Sequence, residues 1–216
     1  MSDHLTGGVL GIYTERQVQF YHRSGGNGSK RVGVLPGSFN PPTIAHLELA
    51  QAAAEHVDEV VCVLPRVFPH KEYFGASLEE RVELLQGAGL AAPHSIAVSE
   101  QGLFIDIARE CREHYDPQAK LYFLCGSDAA ERIMTWDYGR AGVVEEMLAE
   151  FELLVAPRGG WYHPPAKLRH RVHDLKVGPE HRQVSSTEVR ERIARGQPWE
   201  HLVPKRIADR VRKIYS

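Results

Sequence analysis

The sequence contains little cysteine, and its cysteines do not suggest cross-linking. Only three occur in 216 residues, at Cys62, Cys111 and Cys125. An odd number at wide spacing, without a C-x-x-C pair, predicts neither a disulfide framework nor a zinc site. Cys62 and Cys125 lie inside apolar runs, so we interpret both as core thiols.

Long apolar runs and a surplus of charge are missing as well. No segment approaches the roughly 18 apolar residues of a membrane helix, and residues 1–30 contain no apolar core of a secretory signal. The formal net charge is −2 with 43% hydrophobic residues, whereas nucleic-acid binding normally requires a basic surplus. The composition therefore predicts a cytoplasmic globular protein with no membrane and no nucleic acid as partner.

One stretch near the start organises the chain. An apolar run at 32–35 predicts a buried strand, and the small, polar and proline residues at 36–42 predict a tight loop. A helical pattern begins at Thr43 and places His46 in the first turn. Backbone N–H groups and the positive end of a helix dipole then meet, so this stretch predicts a phosphate-binding site.

Strands and helices alternate along the rest of the chain. Short β-like runs lie at residues 8–13 and 17–22, and predicted strands lie at residues 59–64, 95–98, 120–125, 152–156 and near 172–177. Predicted helices lie at residues 77–86, 104–115, 143–150, 186–195 and 204–215. This alternation indicates an α/β, Rossmann-like parallel sheet with helices on both faces and a helical C-terminal tail. The loops 37–43, 126–128 and 157–160 would then share the edge of the sheet where ligands bind.

A second helix start, at residues 184–190, could also bind an anion. Ser185 and Glu188 fit the S-x-x-E capping pattern, which by itself marks no more than a helix start. Hydroxyl and N–H groups at such a start can also bind phosphate oxygens, and Arg190 adds planar, charged donors. We therefore predict that the two helix starts together bind one triphosphate.

Both stretches resemble motifs of one enzyme family. Residues 37–46, GSFNPPTIAH, are similar to the phosphate-binding signature of the nicotinate/nicotinamide mononucleotide adenylyltransferases, within the nucleotidyltransferase superfamily. Residues 184–190 are similar to that family's [IV]-S-S-T-x-[IV]-R motif. Thr43 stands where the bacterial members have a histidine, as in the eukaryotic branch, and Ala45 replaces a glycine. Since the resemblance starts near Arg31, we divide the chain into an N-terminal extension, 1–30, and a nucleotidyltransferase domain, 31–216.

The resemblance implies transfer of AMP from Mg-ATP to nicotinate or nicotinamide mononucleotide in NAD biosynthesis, with release of pyrophosphate. The residues it implies at the reacting phosphates are His46, Thr43, Lys71 and Arg190. Those it implies for ATP binding are Gly37, Ser38, Phe39, Asn40, His46, Gly126, Asp128, Ser185, Ser186, Thr187 and Arg190. Those it implies for the acceptor are Asp106, Trp136 and Arg158. Mg²⁺ would arrive with ATP, and the sequence leaves the oligomeric state open, a homo-oligomer included.

Several of these residues also fit plain structural roles. Lys71 alone would be a solvated charge, residues 126–128 a helix cap, and Trp136 a core residue. Arg81 fits either the family's arginine at that place or a helix-surface position. We predict no metal site held by the protein, because the loop histidines have no spacing that gives a common face. These histidines are His163, His170, His173 and His181.

One segment departs from the family. In residues 102–107, GLFIDI, the family's threonine positions hold Phe104-Ile105 and Ile107, and only Asp106 is shared. The half of the site for ATP therefore matches the family, whereas the half for the acceptor is altered. A sister nucleotidyltransferase with another phosphorylated acceptor such as phosphopantetheine, or with CTP as donor, stays an alternative. A non-catalytic nucleotide-binding protein is a third reading, and the choice between acid and amide stays open.

Overall fold

The computed structural model describes residues 17–26, 28–68, 72–91, 93–157, 160, 162–180 and 182–216. Within them the strands are β1 (Gln19–His22), β2 (Arg31–Pro36), β3 (Glu59–Pro65), β4 (His94–Ser99), β5 (Lys120–Gly126), β6 (Glu152–Ala156) and β7 (Val172–Asp174). The α-helices are α1 (Ile44–Ala53), α2 (Leu78–Gly87), α3 (Phe104–Arg112), α4 (Ser127–Thr135), α5 (Val143–Glu150), α6 (Ser186–Ala194) and α7 (Ala208–Tyr215).

The strands form one sheet in the order β1-β4-β3-β2-β5-β6-β7. β1 runs antiparallel to β4, and the other neighbours pair in parallel. The chain winds from β2 through β3 to β4, then returns to β5 beside β2 and winds the other way. The loops after β2 and β5 therefore diverge from adjacent strands, which opens a crevice at this switch point. The α/β, Rossmann-like prediction is confirmed.

Alternate residues of the central strands are buried on opposite faces of the sheet. On one face Val34 and Phe123 pack with Ile107 of α3, and on the other Leu35 and Leu124 pack in the cluster that includes α1 and α2. Each of these central strands is apolar on both sides because helices cover both faces of the sheet. A further cluster packs α6 and α7 against α2, through Leu84, Val189, Val211 and their neighbours.

The structure adds elements that the sequence analysis did not predict. α4 begins directly at Ser127, where the sequence suggested a loop, and α3 ends three residues before the predicted residue 115. Between β6 and α6, a 3₁₀ helix at Ala166–Arg171 was not predicted either, and it leads into β7, which is shorter than the strand predicted near 172–177. The tail is helical twice as predicted, and Gly196 follows α6 with a left-handed φ of 64°.

Part of the predicted N-terminal extension contributes to the sheet. The β-like run at 8–13 lies outside the described residues, but β1 pairs with β4. The linker that follows β1 packs on the buried Glu59 carboxylate, which accepts from Ser95 Oγ at 2.5 Å and Ser29 Oγ at 3.1 Å. A Cβ on Gly25 would lie 2.0 Å from that carboxylate. The division at residue 30 stays a prediction, and the described part before it is packed on the domain.

The three cysteines lie in the core. Cys62, Cys111 and Cys125 are free thiols and buried, and burial raises the pKa of both Cys62 and Cys125 to about 12. The interpretation of Cys62 and Cys125 as core thiols is confirmed. Among the described helices, none has the length and apolar character to cross a bilayer.

Candidate active site

A cavity of about 630 Å³ lies at the carboxyl edge of the sheet, over the switch point. Its walls come from the ends of β2, β5 and β6, from the first turns of α1 and α6, and from the segment 72–74. Its lining includes Ser38, Asn40, His46, Gly126, Ser185, Ser186, Thr187 and Arg190. The two helix starts that the sequence singled out therefore face one cavity, although about 140 residues of sequence separate them.

Residues 37–43, which we call the signature loop, are held in place by buried residues of the loop itself. The Gly37 N–H donates to the Val63 carbonyl of β3 at 3.0 Å. Phe39 adopts a left-handed φ of 45°, uncommon for a residue with a side chain, and its ring is completely buried. A Cβ on Gly37 would lie 3.2 Å from that ring, so glycine gives the room that Phe39 needs. These two residues shape the loop without lining the cavity.

Asn40 connects the loop to two other segments. Its Nδ2 donates to the Phe74 carbonyl at 2.8 Å, and its Oδ1 accepts from the Ala76 N–H at 3.3 Å. The same Oδ1 accepts from the hydroxyl of Tyr215, in the last turn of α7, at 2.5 Å. The Asn40 side chain is buried, and protein groups use most of its hydrogen-bonding capacity. Asn40 therefore positions the loop.

Thr43 fixes the orientation of the His46 ring. The Thr43 backbone N–H donates to His46 Nδ1 at 3.0 Å, and Thr43 Oγ1 lies 2.7 Å from the same nitrogen. A backbone N–H can only donate, so Nδ1 accepts and the neutral ring carries its proton on Nε2. The ring also packs on Phe39, with 5.0 Å between centroids. His46 therefore lines the cavity as a donor through Nε2–H.

The start of α6 is bonded directly to the signature loop. Ser186 Oγ donates to the Pro41 carbonyl at 2.8 Å, and Arg190 Nη1 donates to the Asn40 carbonyl at 2.6 Å. Arg190 Nη2 also donates to Thr187 Oγ1 at 3.3 Å, and its guanidinium lies 5.4 Å from the centre of the Phe74 ring. Phe74 is 71% exposed, at the mouth of the cavity. Arg190 and His46 thus approach one loop from two sides.

Arg81 supports the same loop from within the protein. Its side chain is buried, with the residue only 3% exposed, and Nη1 donates to the Ser38 carbonyl at 3.0 Å. Its guanidinium lies 4.5 Å from the centre of the Tyr73 ring. Burial lowers the pKa of Arg81 from its ordinary value. The helix-surface alternative for Arg81 is therefore wrong, and its contacts are those of a residue that positions the loop.

A smaller pocket of about 90 Å³ adjoins the cavity, and Phe104 and Ala129 line both. The smaller pocket lies between the start of α3 and the end of α4, and Trp136 forms part of its wall. Trp136 is 44% exposed, which does not fit core packing. The altered segment at 102–107 therefore forms the border between the two spaces.

Comparison with known proteins places this geometry in a family. A family model described as cytidylyltransferase-like matches residues 34–192, which is more than half of the chain and includes both helix starts that face the cavity. This chain belongs to the cytidylyltransferase-like family.

Three bacterial relatives are each named probable nicotinate-nucleotide adenylyltransferase. The protein of Exiguobacterium sibiricum is 31% identical over 81% of this chain and 92% of its own length. That of Moorella thermoacetica is 30% identical over 84% of this chain and 89% of its length. That of Halalkalibacterium halodurans is 32% identical over 81% and 85%. The resemblance to the nicotinate/nicotinamide mononucleotide adenylyltransferases is confirmed.

Some residues that the sequence analysis predicted for the site do not line the cavity. Gly126 lines it as the N-cap of α4, whereas Asp128 stands in the first turn of that helix without forming part of the lining. Asp106, in the first turn of α3, lines neither the cavity nor the smaller pocket. Lys71 and Arg158 lie outside the described residues, so their assignments stay predictions.

The cavity is also lined by an arginine that the sequence analysis missed. Arg182 lines the cavity and donates from Nη2 to the Val177 carbonyl at 3.0 Å. Its Nε is buried and finds no hydrogen-bond partner among the described residues. An unused guanidinium N–H in such a cavity favours an anion. In the sequence, Arg182 lies in a long loop rich in glycine, proline and histidine, with no periodic pattern to mark it.

The histidines of this loop that the structure describes, His163, His170 and His173, do not line the cavity. Among the described residues, no group of three or more His, Cys, Asp or Glu side chains could hold a metal ion. His173 pairs with Glu152 at 2.6 Å, and His181 lies outside the described residues.

Proposed function

We propose that this protein transfers AMP from Mg-ATP to nicotinate mononucleotide, or to its amide, and releases pyrophosphate as a step of NAD biosynthesis. One observation carries this proposal: His46 and Arg190, from opposite ends of the domain, line one cavity and lie against the same signature loop. The names of the bacterial relatives indicate the acceptor. The buried free thiols accord with the reducing cytosol, where we expect the enzyme to act.

The phosphates of ATP would lie between the starts of α1 and α6. Both helices direct free N–H groups and the positive end of a dipole toward the cavity, which favours a polyanion. Ser186 and Arg190 hold the start of α6 on the loop. Arg190 and Arg182 then supply charge that does not depend on pH near neutrality. Magnesium arrives bound to the triphosphate, as part of the substrate.

His46 would stabilise the charge that develops on the α-phosphate. Because Thr43 holds Nδ1 as an acceptor, the ring offers Nε2–H in a fixed direction, with no reorganisation needed during the reaction. Thr43 contacts the ring rather than facing the cavity, so it acts as a positioning residue. The predicted contacts of Lys71 and Arg158 would add further cations.

The reaction needs no general base. A phosphate oxygen of the acceptor is already an anion at neutral pH, and it forms a bond to the α-phosphorus of ATP. The bond from that phosphorus to the bridging oxygen of the β-phosphate breaks, and its electron pair leaves with pyrophosphate. Catalysis then consists of holding the two nucleotides in line and stabilising the charge on the α-phosphate.

The acceptor's ring has a separate place to bind. Trp136, on the wall of the smaller pocket, offers an aromatic face next to the cavity. Phe104 borders both spaces, so a mononucleotide can have its phosphate in the cavity and its ring in the pocket.

The test is pyrophosphate release with a matrix of donors and acceptors. ATP and CTP are each combined with nicotinate mononucleotide, nicotinamide mononucleotide and phosphopantetheine. We expect turnover with ATP and a pyridine mononucleotide, and formation of the corresponding dinucleotide. Turnover confined to phosphopantetheine or to CTP would identify a sister enzyme. Binding of nucleotide without turnover in any combination would identify a non-catalytic protein.

A further inference from the structure

The smaller pocket contains one charged side chain among the described residues that line it. Its walls are formed mainly by apolar side chains, namely Leu103, Phe104, Ile105, Ala129, Ile133 and Met147, and by the aromatic rings of Trp136 and Tyr138. The exception is Arg132. A space of about 90 Å³ is far below the roughly 300 Å³ and more of a site for a whole drug-sized ligand. The pocket therefore suits one ring of a larger ligand whose remainder lies in the cavity.

Arg132 is placed to meet a substituent of such a ring. It lies four residues before Trp136, and its carbonyl accepts the Trp136 N–H at 2.9 Å, so the two side chains project from the same side of α4. Nearby arginines are committed to carboxylates: Arg109 pairs with Glu150 and Arg140 pairs with Glu146. Arg132 has no such pair within the described part of the chain.

The other polar groups of the pocket are weak candidates for reading a ring substituent. Phe104 and Ile105 have no hydroxyl to donate. The hydroxyl of Tyr138 donates to the Ile133 carbonyl at 3.0 Å, so its proton is already used. Apart from the single indole N–H of Trp136, Arg132 is left as the side chain whose donors can distinguish one substituent from another.

We propose that Arg132 binds the carboxylate of the acceptor's pyridine ring, and that it thereby makes the enzyme select nicotinate mononucleotide over nicotinamide mononucleotide. This inference rests on the proposed function. A guanidinium donates two parallel hydrogen bonds to a carboxylate, whereas a neutral amide accepts through one oxygen and turns its NH₂ group toward the same cation. Arg132 is itself exposed, and the apolar walls beside it reduce competition from water where the ring enters.

Helix α3, on the opposite wall of the pocket, also favours a negatively charged substituent. Leu103, the N-cap of α3, lines the pocket and has no side-chain oxygen to accept the first N–H groups of that helix. These groups add positive potential beside Arg132. The altered segment at 102–107 thus favours an acid through the main-chain N–H groups at the start of α3. The side chain of Arg132, from α4, favours the acid as well.

The experiment compares acid and amide as acceptors for matched variants. With Mg-ATP and subsaturating acceptor, kcat/KM is measured for the wild type, Arg132→Gln, Arg132→Lys and Arg169→Gln. Arg169 is the control, because it is an exposed arginine that lines neither space. We expect the wild type to prefer the acid. Arg132→Gln should lower kcat/KM for the acid by at least about tenfold and leave the amide within about threefold, because a hydrogen bond to a charged group is lost for one acceptor only.

The conservative variant separates charge from fold. Arg132→Lys keeps the positive charge without the planar fork, so it should restore part of the acid preference, and Arg169→Gln should keep all of it. A wild type that prefers the amide would overturn the inference alone, as would an acid-to-amide ratio unchanged in Arg132→Gln. A wild type that turns over neither acceptor would overturn the proposed function, and the inference with it.

Discussion

The proposed phosphate end of the site, at the starts of α1 and α6, and the proposed acceptor end, at the smaller pocket, are built in different ways. At the phosphate end, motif residues bond to one another: Thr43 to His46, Ser186 to the Pro41 carbonyl, and Arg190 to the Asn40 carbonyl. At the acceptor end, side chains from α3, α4 and the turn after α4 meet mainly through apolar surface. The first arrangement leaves little freedom, because each bond fixes a group that another bond depends on. The second arrangement can accept substitutions of its side chains without losing the pocket.

This contrast predicts two kinds of mutational effect. A change at the phosphate end should lower turnover with every acceptor, since all acceptors use the same ATP. A change at the acceptor end should alter the choice among acceptors. A variant at the phosphate end that changed only acceptor preference would show that the two ends are not separate.

The largest effect is expected from His46→Ala. Loss of one fixed donor to the developing charge should lower kcat by about 10²–10³-fold with acid and amide alike. His46 lies in the first turn of α1, so the fold should persist. The measurements are pyrophosphate release and the thermal midpoint. The matched control is His56→Ala, an exposed histidine just after α1, which should keep wild-type kcat. Near-normal turnover in His46→Ala would contradict the assigned role.

Arg190→Gln should have the next largest effect, about 10–10²-fold on kcat/KM for ATP. It removes the charge at the cavity and also the donor to the Asn40 carbonyl. Arg190→Lys should recover little, because an ammonium cannot reach both the Asn40 carbonyl and Thr187 Oγ1 as the planar group does.

The control for Arg190 lies on the same helix. Arg192 pairs with Glu188 at 2.8 Å, both half-buried on α6, and it does not line the cavity. Arg192→Gln should therefore leave kcat/KM within about twofold, since a helix pair of this kind contributes only about 0.3–0.5 kcal/mol. Equal losses in the two variants would show that α6 acts through its stability and not through Arg190.

The same contrast explains which parts of the structure the sequence could predict. The strands and the phosphate end were predictable because their signals are local: apolar runs for the sheet, and two short motifs whose members contact each other. That Arg190 and His46 share a cavity follows once the strands are parallel and both motifs follow the same edge. The helix α4 was not predicted, and the edge strand β7 ends three residues before the predicted residue 177, because the apolar patterns of both are brief.

The parts that could not be predicted depend on contacts between distant segments. The sequence could not decide between a surface and a buried Arg81, because its partner, the Ser38 carbonyl, is 43 residues away. Arg182 and Arg132 carry no motif, and only the folded chain brings them to the two spaces. Asn40 matched the family signature, yet its bond to Tyr215, near the end of the chain, has no counterpart in a local pattern.

Thr43→Val should lower kcat by about tenfold with every acceptor. Valine has nearly the same shape, so the buried site stays filled, but the hydroxyl beside His46 Nδ1 is lost while the backbone N–H remains. Thr43→Ser keeps that hydroxyl and should keep at least half of the wild-type kcat. The two variants are compared by kcat and by KM for ATP. A change in KM alone would show that Thr43 supports binding and does not orient His46.

The smallest effect is expected from Tyr215→Phe, at the far margin of the phosphate end. The variant removes one hydrogen bond to Asn40 Oδ1, which still accepts the Ala76 N–H, so the loss should be about 1 kcal/mol of unfolding free energy. For a chain of this size, the thermal midpoint should fall by about 2–4 °C. Turnover should change less than about threefold, because Asn40 keeps its other bonds. Tyr21→Phe, at an exposed tyrosine of β1, is the control.

The pH dependence of this variant shows whether the hydroxyl or merely the ring of Tyr215 matters. Burial, the largest cause, raises the pKa of Tyr215 in the folded protein. Above about pH 10 the unfolded chain releases a proton that the folded chain retains, so the wild type loses stability there that Tyr215→Phe does not lose. The wild type's advantage should be constant from pH 7 to 9 and should shrink above pH 10. An advantage that is absent at pH 7 would mean that apolar packing alone holds α7 on the signature loop, and that the hydrogen-bonded network of the phosphate end stops at Asn40.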